Sequence, residues 1–196
     1  MGHAPENTIE SFAKALELGC DEVETDVWLA EDGRLVISHD RPTKQTTLLL
    51  DKVLDFCRGR MGVNVELKCE LSESRARETG ATVARHVARR ADPDVYLSSF
   101  WWPALDAARA AAPQVRRALL YSGAPDRAPL IAGARAAALW ALHPNRSYVT
   151  PELIADAHAA GLRVNVWTVD DPKEIETFVR WGVDAIFSNY PERVPR

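Results

Sequence analysis

Cysteine is sparse and unpatterned. The three thiols, Cys20, Cys57 and Cys69, are far apart, form no CxxC pair and have no histidine at zinc-module spacing. That excludes a disulfide scaffold and a structural zinc site, and is the pattern of buried thiols in a reducing compartment, so a cytoplasmic location is expected. Long apolar runs are missing too. Nothing approaches the ~18–20 residues of a membrane helix, and Met1-Gly2-His3-Ala4-Pro5 has neither a basic nor an apolar leader region, so no integral membrane segment is expected. Basic blocks are equally scarce: 24 Lys and Arg face 28 Asp and Glu, a net charge of −4, which makes nucleic acid a poor partner. No Gly/Ser-rich or Pro-rich stretch is long enough to be a linker.

The 196 residues, 46% hydrophobic and 27% charged, therefore read as one soluble globular domain, 1–196. Helical patterns alternate with short Val/Ile/Leu-rich runs from Thr8 onward. Helix 9–18 carries Ile9, Phe12, Ala13 and Leu16 on one face, with Asn7 and Glu10 expected as a capping box and Gly19 as a stop. Thr150-Pro151 and Asp171-Pro172 start helices that stop at Gly161 and Gly182. Further helices are expected at 52–57, 72–89, 101–111 and, weakly, 129–133. Seven strands fall at 22–27, 63–67, 95–98, 117–121, 136–142, 162–167 and 183–187. Such alternation implies a parallel α/β sheet, either open or closed as a TIM-like (β/α)8 barrel. Seven is one short of a barrel, so the first strand is expected to be missing or atypical, lying upstream of Met1.

Strand 22–27 places Val23, Thr25 and Val27 on one face and Glu22, Glu24 and Asp26 on the other. Strand 63–67 repeats this, with Asn64, Glu66 and then Lys68 opposite Val63, Val65 and Leu67; Asn165 and Trp167 share a face later on. In an antiparallel sheet such polar faces would simply meet water. In a helix-covered parallel sheet they point into a lumen or toward the strand ends, where each uncompensated carboxylate costs several kcal/mol. A divalent cation would compensate them. Glu24, Asp26 and Glu66 are hard oxygen donors, suited to Mg²⁺ or Ca²⁺ rather than zinc, and Lys68 could bind an anionic oxygen. His39, beside Asp40 at the end of the extended run Leu35 to Asp40, could move a proton. His86 and His158 read as structural or solvated and Trp101-Trp102 as packing, while His143, before Pro144-Asn145 at a strand end, lies in the right region for a site but has no identifiable partner.

Ordered along the chain, Ala4-Pro5-Glu6-Asn7-Thr8, Glu22-Val23-Glu24-Thr25-Asp26-Val27, Glu31-Asp32-Gly33 through His39-Asp40, and Asn64-Val65-Glu66-Leu67-Lys68 together resemble the glycerophosphodiester phosphodiesterases. Weaker echoes run to Asp184-Ala185-Ile186-Phe187-Ser188-Asn189-Tyr190-Pro191. The resemblance implies a metal-dependent (β/α)8-barrel enzyme that hydrolyses a small glycerophosphodiester to an alcohol and glycerol 3-phosphate. It further implies Glu24, Asp26 and Glu66 as metal ligands, His39 as one of two catalytic histidines, Lys68 as a phosphate contact and Trp167 as a pocket wall. Two features depart from the family. Its His-Arg-Gly segment at the first strand has no counterpart in this sequence, His3 being too close to Pro5. The segment after His39-Asp40 is also short, with Arg41 to Thr47 leading almost directly into the next helix.

Two other activities fit the same residues: a catalytically impaired barrel that binds metal and a phosphate ligand, and a cyclising phospholipase-type enzyme. Metal binding without turnover would mark the first, a cyclic phosphate product the second.

Overall fold

The computed structural model describes residues 2–69 and 72–195. They form two compact units, one from His3 to Arg116 and one from Arg117 onward that includes Gly2. No helix among the described residues is long and apolar enough to cross a membrane.

The first unit contains α1 (Ile9–Glu17), β1 (Glu22–Leu29), β2 (Leu35–Ile37), α2 (Leu50–Cys57), β3 (Gly62–Lys68), α3 (Glu73–Arg90), β4 (Val95–Ser99) and α4 (Trp102–Ala111). Its strands lie in the order β2-β1-β3-β4. β1, β3 and β4 run parallel, whereas β2 turns back antiparallel on the C-terminal half of β1, pairing Trp28 with Val36. The extended run after Gly33 is thus a short hairpin arm, not a further barrel-type strand. Gly33 makes the reversal possible by taking φ +84°, a region open to glycine.

The helix-facing side of β1 and β3 is apolar. Val27, Val63, Val65 and Leu67 are buried with Phe12, Leu50, Val53, Leu54, Val83, Val87 and Leu97 in one core. Apolar surface of this kind contributes roughly 25 cal/mol per Å² removed from water. α3 and α4 approach so closely that a Cβ on Gly80 would lie 2.1 Å from the backbone oxygen of Ala104, so only glycine fits there.

α1 starts at Ile9 as its sequence pattern indicates, but with different capping residues. Thr8, not Asn7, is the N-cap, and its reciprocal partner is Ser11 rather than Glu10. Asn7 sits at φ +55° and sends its side chain elsewhere.

The second unit contains β5 (Arg117–Tyr121), α5 (Arg127–Ala136), β6 (Ala141–Pro144), α6 (Pro151–Ala159), β7 (Arg163–Val166), α7 (Pro172–Trp181) and β8 (Ala185–Ile186). Its four strands are parallel and lie in chain order. The helix expected at 129–133 extends to Ala136, and the strand expected from 136 begins only at Ala141. Alanine-rich sequence such as Ala134 to Ala138 propagates a helix readily, so the apolar run alone does not mark the boundary. The last two strands are shorter than expected.

β6 and β7 carry a buried polar pair. His143 and Asn165 are enclosed, and their ring Nε2 and side-chain Nδ2 lie 3.1 Å apart. The Phe187 ring stands edge-on to His143 at 5.1 Å. Burial pushes the His143 imidazole down to about 3. Below pH 6.5 the unfolded chain takes up a proton that the folded chain refuses, so this contribution is complete above 6.5 and lost as pH falls toward 3. The loss is ~1.4 kcal/mol per pH unit, or about 3 kcal/mol by pH 4.5. Urea unfolding of wild type and His143→Gln at pH 7.5 and 4.5 should show a steeper acid loss for wild type; parallel losses would refute it.

Candidate functional site

The site grows from the register of two parallel strands. β1 and β3 pair Glu24 with Asn64, Asp26 with Glu66 and Trp28 with Lys68. Paired residues on neighbouring strands stand about 4.8 Å apart with side chains on the same face, so the polar faces read from each strand must converge. One oxygen from each of Glu24, Asp26 and Glu66 lies within 4.8 Å of the others. Among the described residues this is the one group of His, Cys, Asp and Glu side chains close enough to hold a metal ion.

Lys68 closes the group. Its Nζ lies 3.0 Å from Glu66 Oε1 and 3.2 Å from Asp26 Oδ1. One ammonium against three carboxylates leaves two negative charges unbalanced. Burial, together with the charges of Asp26 and Glu66, holds the Glu24 carboxyl well above the usual carboxylate range. Burial also raises Glu66, against the pull of Lys68. For Lys68 burial works downward, but the carboxylates of Glu66 and Asp26 outweigh it and raise the ammonium. Glu24 as a residue is half-buried, yet its Oε1 is fully enclosed and has no hydrogen-bond partner among the described residues. The Asn64 side chain and Ser98 Oγ, beside Glu24 and Glu66 on neighbouring strands, are likewise enclosed and unpartnered.

Two glutamate carboxyls held above their ordinary range, an enclosed oxygen without a donor and three carboxyl groups against one ammonium fit a hard divalent cation bound by oxygen. A thiolate or imidazole metal finds no ligand set here.

Asn7 holds this arrangement in place. Its Nδ2 donates to Asp26 Oδ2 at 2.8 Å, while its Oδ1 accepts from Thr25 Oγ1 at 2.9 Å and from the Asp26 backbone N–H at 3.1 Å. One side-chain amide thus orients a candidate ligand and occupies a backbone donor of β1. The sequence reading assigned Asn7 to the cap; the available signal was that Thr8, next in line, is itself a good cap and leaves Asn7 for another task.

His39 follows β2 and is largely exposed. Its Nδ1 lies 3.0 Å from Asp40 Oδ1, and its charge is near enough to act on Glu66. Trp28, on the same face of β1 as Asp26, donates from Nε1 to the backbone oxygen of Ser38 at 3.0 Å, which fixes the segment leading into His39. The structure therefore brings Glu24, Asp26, Glu66 and Lys68 together, with His39 close to Glu66. Trp167 belongs to the second unit, at the end of β7, half-buried, its Nε1 donating to the His143 backbone oxygen at 2.7 Å. His86 on α3 pairs with Asp51 of α2, and His158 on α6 with Asp184 just before β8, each at 2.8 Å.

The chain is similar to several known proteins. A glycerophosphodiester phosphodiesterase of Caldanaerobacter subterraneus subsp. tengcongensis is 29% identical over 97% of this chain and 90% of its own length. The solved structure of an Oleispira antarctica phosphodiesterase, in complex with the product sn-glycerol-3-phosphate, matches with a TM-score of 0.87 and 27% identity over 98% of this chain and 91% of that one. A structure from Silicibacter pomeroyi matches with a TM-score of 0.87 and 27% identity, covering 98% of this chain and 88% of that one. The fold is accordingly α/β and TIM-barrel-like. Residues 1–61 and 49–193 match the Glycerophosphoryl diester phosphodiesterase family, so the chain belongs to that family of hydrolytic enzymes.

Proposed function

We propose that this protein hydrolyses glycerophosphodiesters to an alcohol and sn-glycerol 3-phosphate, using a divalent cation, Mg²⁺ or Ca²⁺, held by Glu24, Asp26 and Glu66. The observation that carries this reading is the convergence of those three carboxylates with Lys68 on paired strands. A cation bound there supplies Lewis-acid polarisation of the phosphoryl oxygens.

The side chains contribute the rest. Lys68 keeps its proton through neutral pH and offers a fixed positive charge to a phosphate oxygen. His39, with Nδ1 engaged by Asp40, offers Nε2 as the atom that exchanges a proton with the attacking water or the departing alcohol oxygen.

The test is release of glycerol 3-phosphate from glycerophosphocholine and glycerophosphoethanolamine in EDTA, Mg²⁺ or Ca²⁺. Release is expected only with a cation. Equal release in EDTA would remove the cation from the reading, a cyclic phosphate product would favour the cyclising reaction, and cation binding without turnover would favour the impaired barrel.

Asn7 gives a second test. Asn7→Leu removes the Nδ2 donor and the Oδ1 acceptor without adding charge, so cation affinity measured by calorimetry should fall by about 10–100-fold, the usual effect of losing a partner that orients a ligand. Unchanged affinity would leave Asn7 as a purely local feature of the chain entry.

A further inference from the structure

We propose that a cationic pocket beside the carboxylate cluster selects glycerophosphodiesters whose alcohol carries its own negative charge over those with choline or ethanolamine. The inference rests on the hydrolytic reading above and names its substrate class.

The pocket follows from the pleat of β1. Glu24, Asp26 and Trp28 alternate onto one face, and across the hairpin Val36 stands opposite Trp28, with Ser38 beside Asp26 through an N–H to oxygen bond of 3.1 Å. One pleat beyond Asp26, on the order of 7 Å along the strand, this face opens into a cavity. The cavity, about 360 Å³, has Trp28 and Val36 in its wall and Arg34, Arg41, Lys44 and Arg75 around it. Trp28 ties the two places together, since it is in register with Lys68 on one side and bonds the oxygen of the residue before His39 on the other. An alcohol leaving the phosphate at Lys68 toward the hairpin would enter this space.

The charge of the lining decides what fits. Among the described lining residues, four cationic side chains stand with two acidic ones, Glu31 and Asp32, on a chain whose net charge is −4. Asp32 is taken by Arg34, its Oδ2 lying 2.7 Å from Nε, and Arg75 is engaged by Glu78 and the Leu29 carbonyl. Arg41 and Lys44 sit on the short segment after His39-Asp40 and are exposed, and Lys44 makes no ion pair among the described residues. Thr43 and Thr46 add hydroxyls to the same wall. A quaternary ammonium is recognised by several aromatic faces without competing cations; here Trp28 is the single aromatic among the described lining residues, and it shares the lining with four cations. A phosphate or carboxylate meets the opposite situation, with guanidinium and ammonium donors in the lining.

The experiment has two arms. In the first, kcat/KM for glycerol 3-phosphate release is compared between glycerophosphoinositol 4-phosphate and glycerophosphocholine. The phosphorylated diester should be preferred, and the preference should fall about tenfold or more in the Arg41→Gln/Lys44→Gln double variant, the usual effect of losing charge-assisted bonds. In the second, inositol 4-phosphate and choline are titrated into the same two proteins by calorimetry. Only inositol 4-phosphate should bind, more weakly in the double variant. Equal binding of both probes, or binding unaffected by the double substitution, overturns the pocket assignment whatever is hydrolysed. Turnover of both diesters without preference overturns the substrate class alone. Failure to hydrolyse either diester, with the binding pattern intact, defeats the hydrolytic reading and with it the substrate class, while the anion pocket stands.

Discussion

Replacing Glu66 with glutamine should lower cation-supported release of glycerol 3-phosphate by about a thousandfold, equivalent to ~4 kcal/mol of transition-state stabilisation. Glu66 contributes an oxygen to the candidate cation site and bonds Lys68 at 3.0 Å, as Asp26 does at 3.2 Å. Glutamine keeps the shape and one carbonyl oxygen but removes the charge. The loss is not expected to come from unfolding. Burial raises the Glu66 carboxyl above its ordinary value, so its ionised form opposes folding at neutral pH: that contribution is favourable below pH 4.5 and lost as pH rises through the folded value. A neutral isostere removes the penalty, and Lys68 retains Asp26 at 3.2 Å. Without added cation the variant should therefore melt no lower than wild type, and added Mg²⁺ or Ca²⁺ should raise its melting temperature less. Retained activity would show that Glu66 is not a ligand. A large drop in melting temperature would show instead that its charge holds the strand pair together.

Replacing His39 with glutamine should reduce kcat by ~10²–10⁴, the range of a positioned proton-transfer group, with cation affinity little changed. The side chain is largely exposed and, among the described residues, bonds only its neighbour Asp40, so stability should not move. Its role can be separated by leaving group. If His39 Nε2 protonates the departing alcohol, a diester with a p-nitrophenolate leaving group, which departs without a proton, should be hydrolysed by the variant almost as well as by wild type. Equal losses on both substrates would place His39 on the attacking water instead. No loss on either would remove it from the reaction and point to another proton carrier beside Glu66.

Much of this arrangement is visible in the chain as written. The alternation of Val23, Thr25 and Val27 against Glu24 and Asp26, repeated as Val63, Val65 and Leu67 against Asn64, Glu66 and Lys68, is a local property with a period of two. It defines two strands and their polar faces before any fold is known. Capping residues and stops such as Thr150-Pro151, Asp171-Pro172 and Gly182 are local as well, and the helices start and end where they indicate. Boundaries blur only where a residue type is permissive, as in the alanine-rich end of α5, because the same residues extend a helix or enter a strand at little cost.

Other features depend on contacts between distant parts of the chain. Asn7 resembles a cap residue in sequence; its bonds to Thr25 and Asp26 span 18 and 19 positions and exist only once α1 is seated beside β1. The buried state of His143 arises from Asn165 and Phe187, 22 and 44 residues away, and a histidine before Pro144-Asn145 carries no local mark of it. The cationic pocket likewise needs the hairpin of β1 and β2 to fold one segment over another before Arg41, Lys44 and Arg75 share a wall. The sequence by itself determined which residues are chemically able to act and which face of each strand they occupy, because side-chain type and backbone period are local. The tertiary structure alone decided that Asp26 stands opposite Glu66 and Trp28 opposite Lys68. That register is set by burying the apolar faces of β1 and β3 together in one core, and a slip of one residue would turn every carboxylate away from its partner.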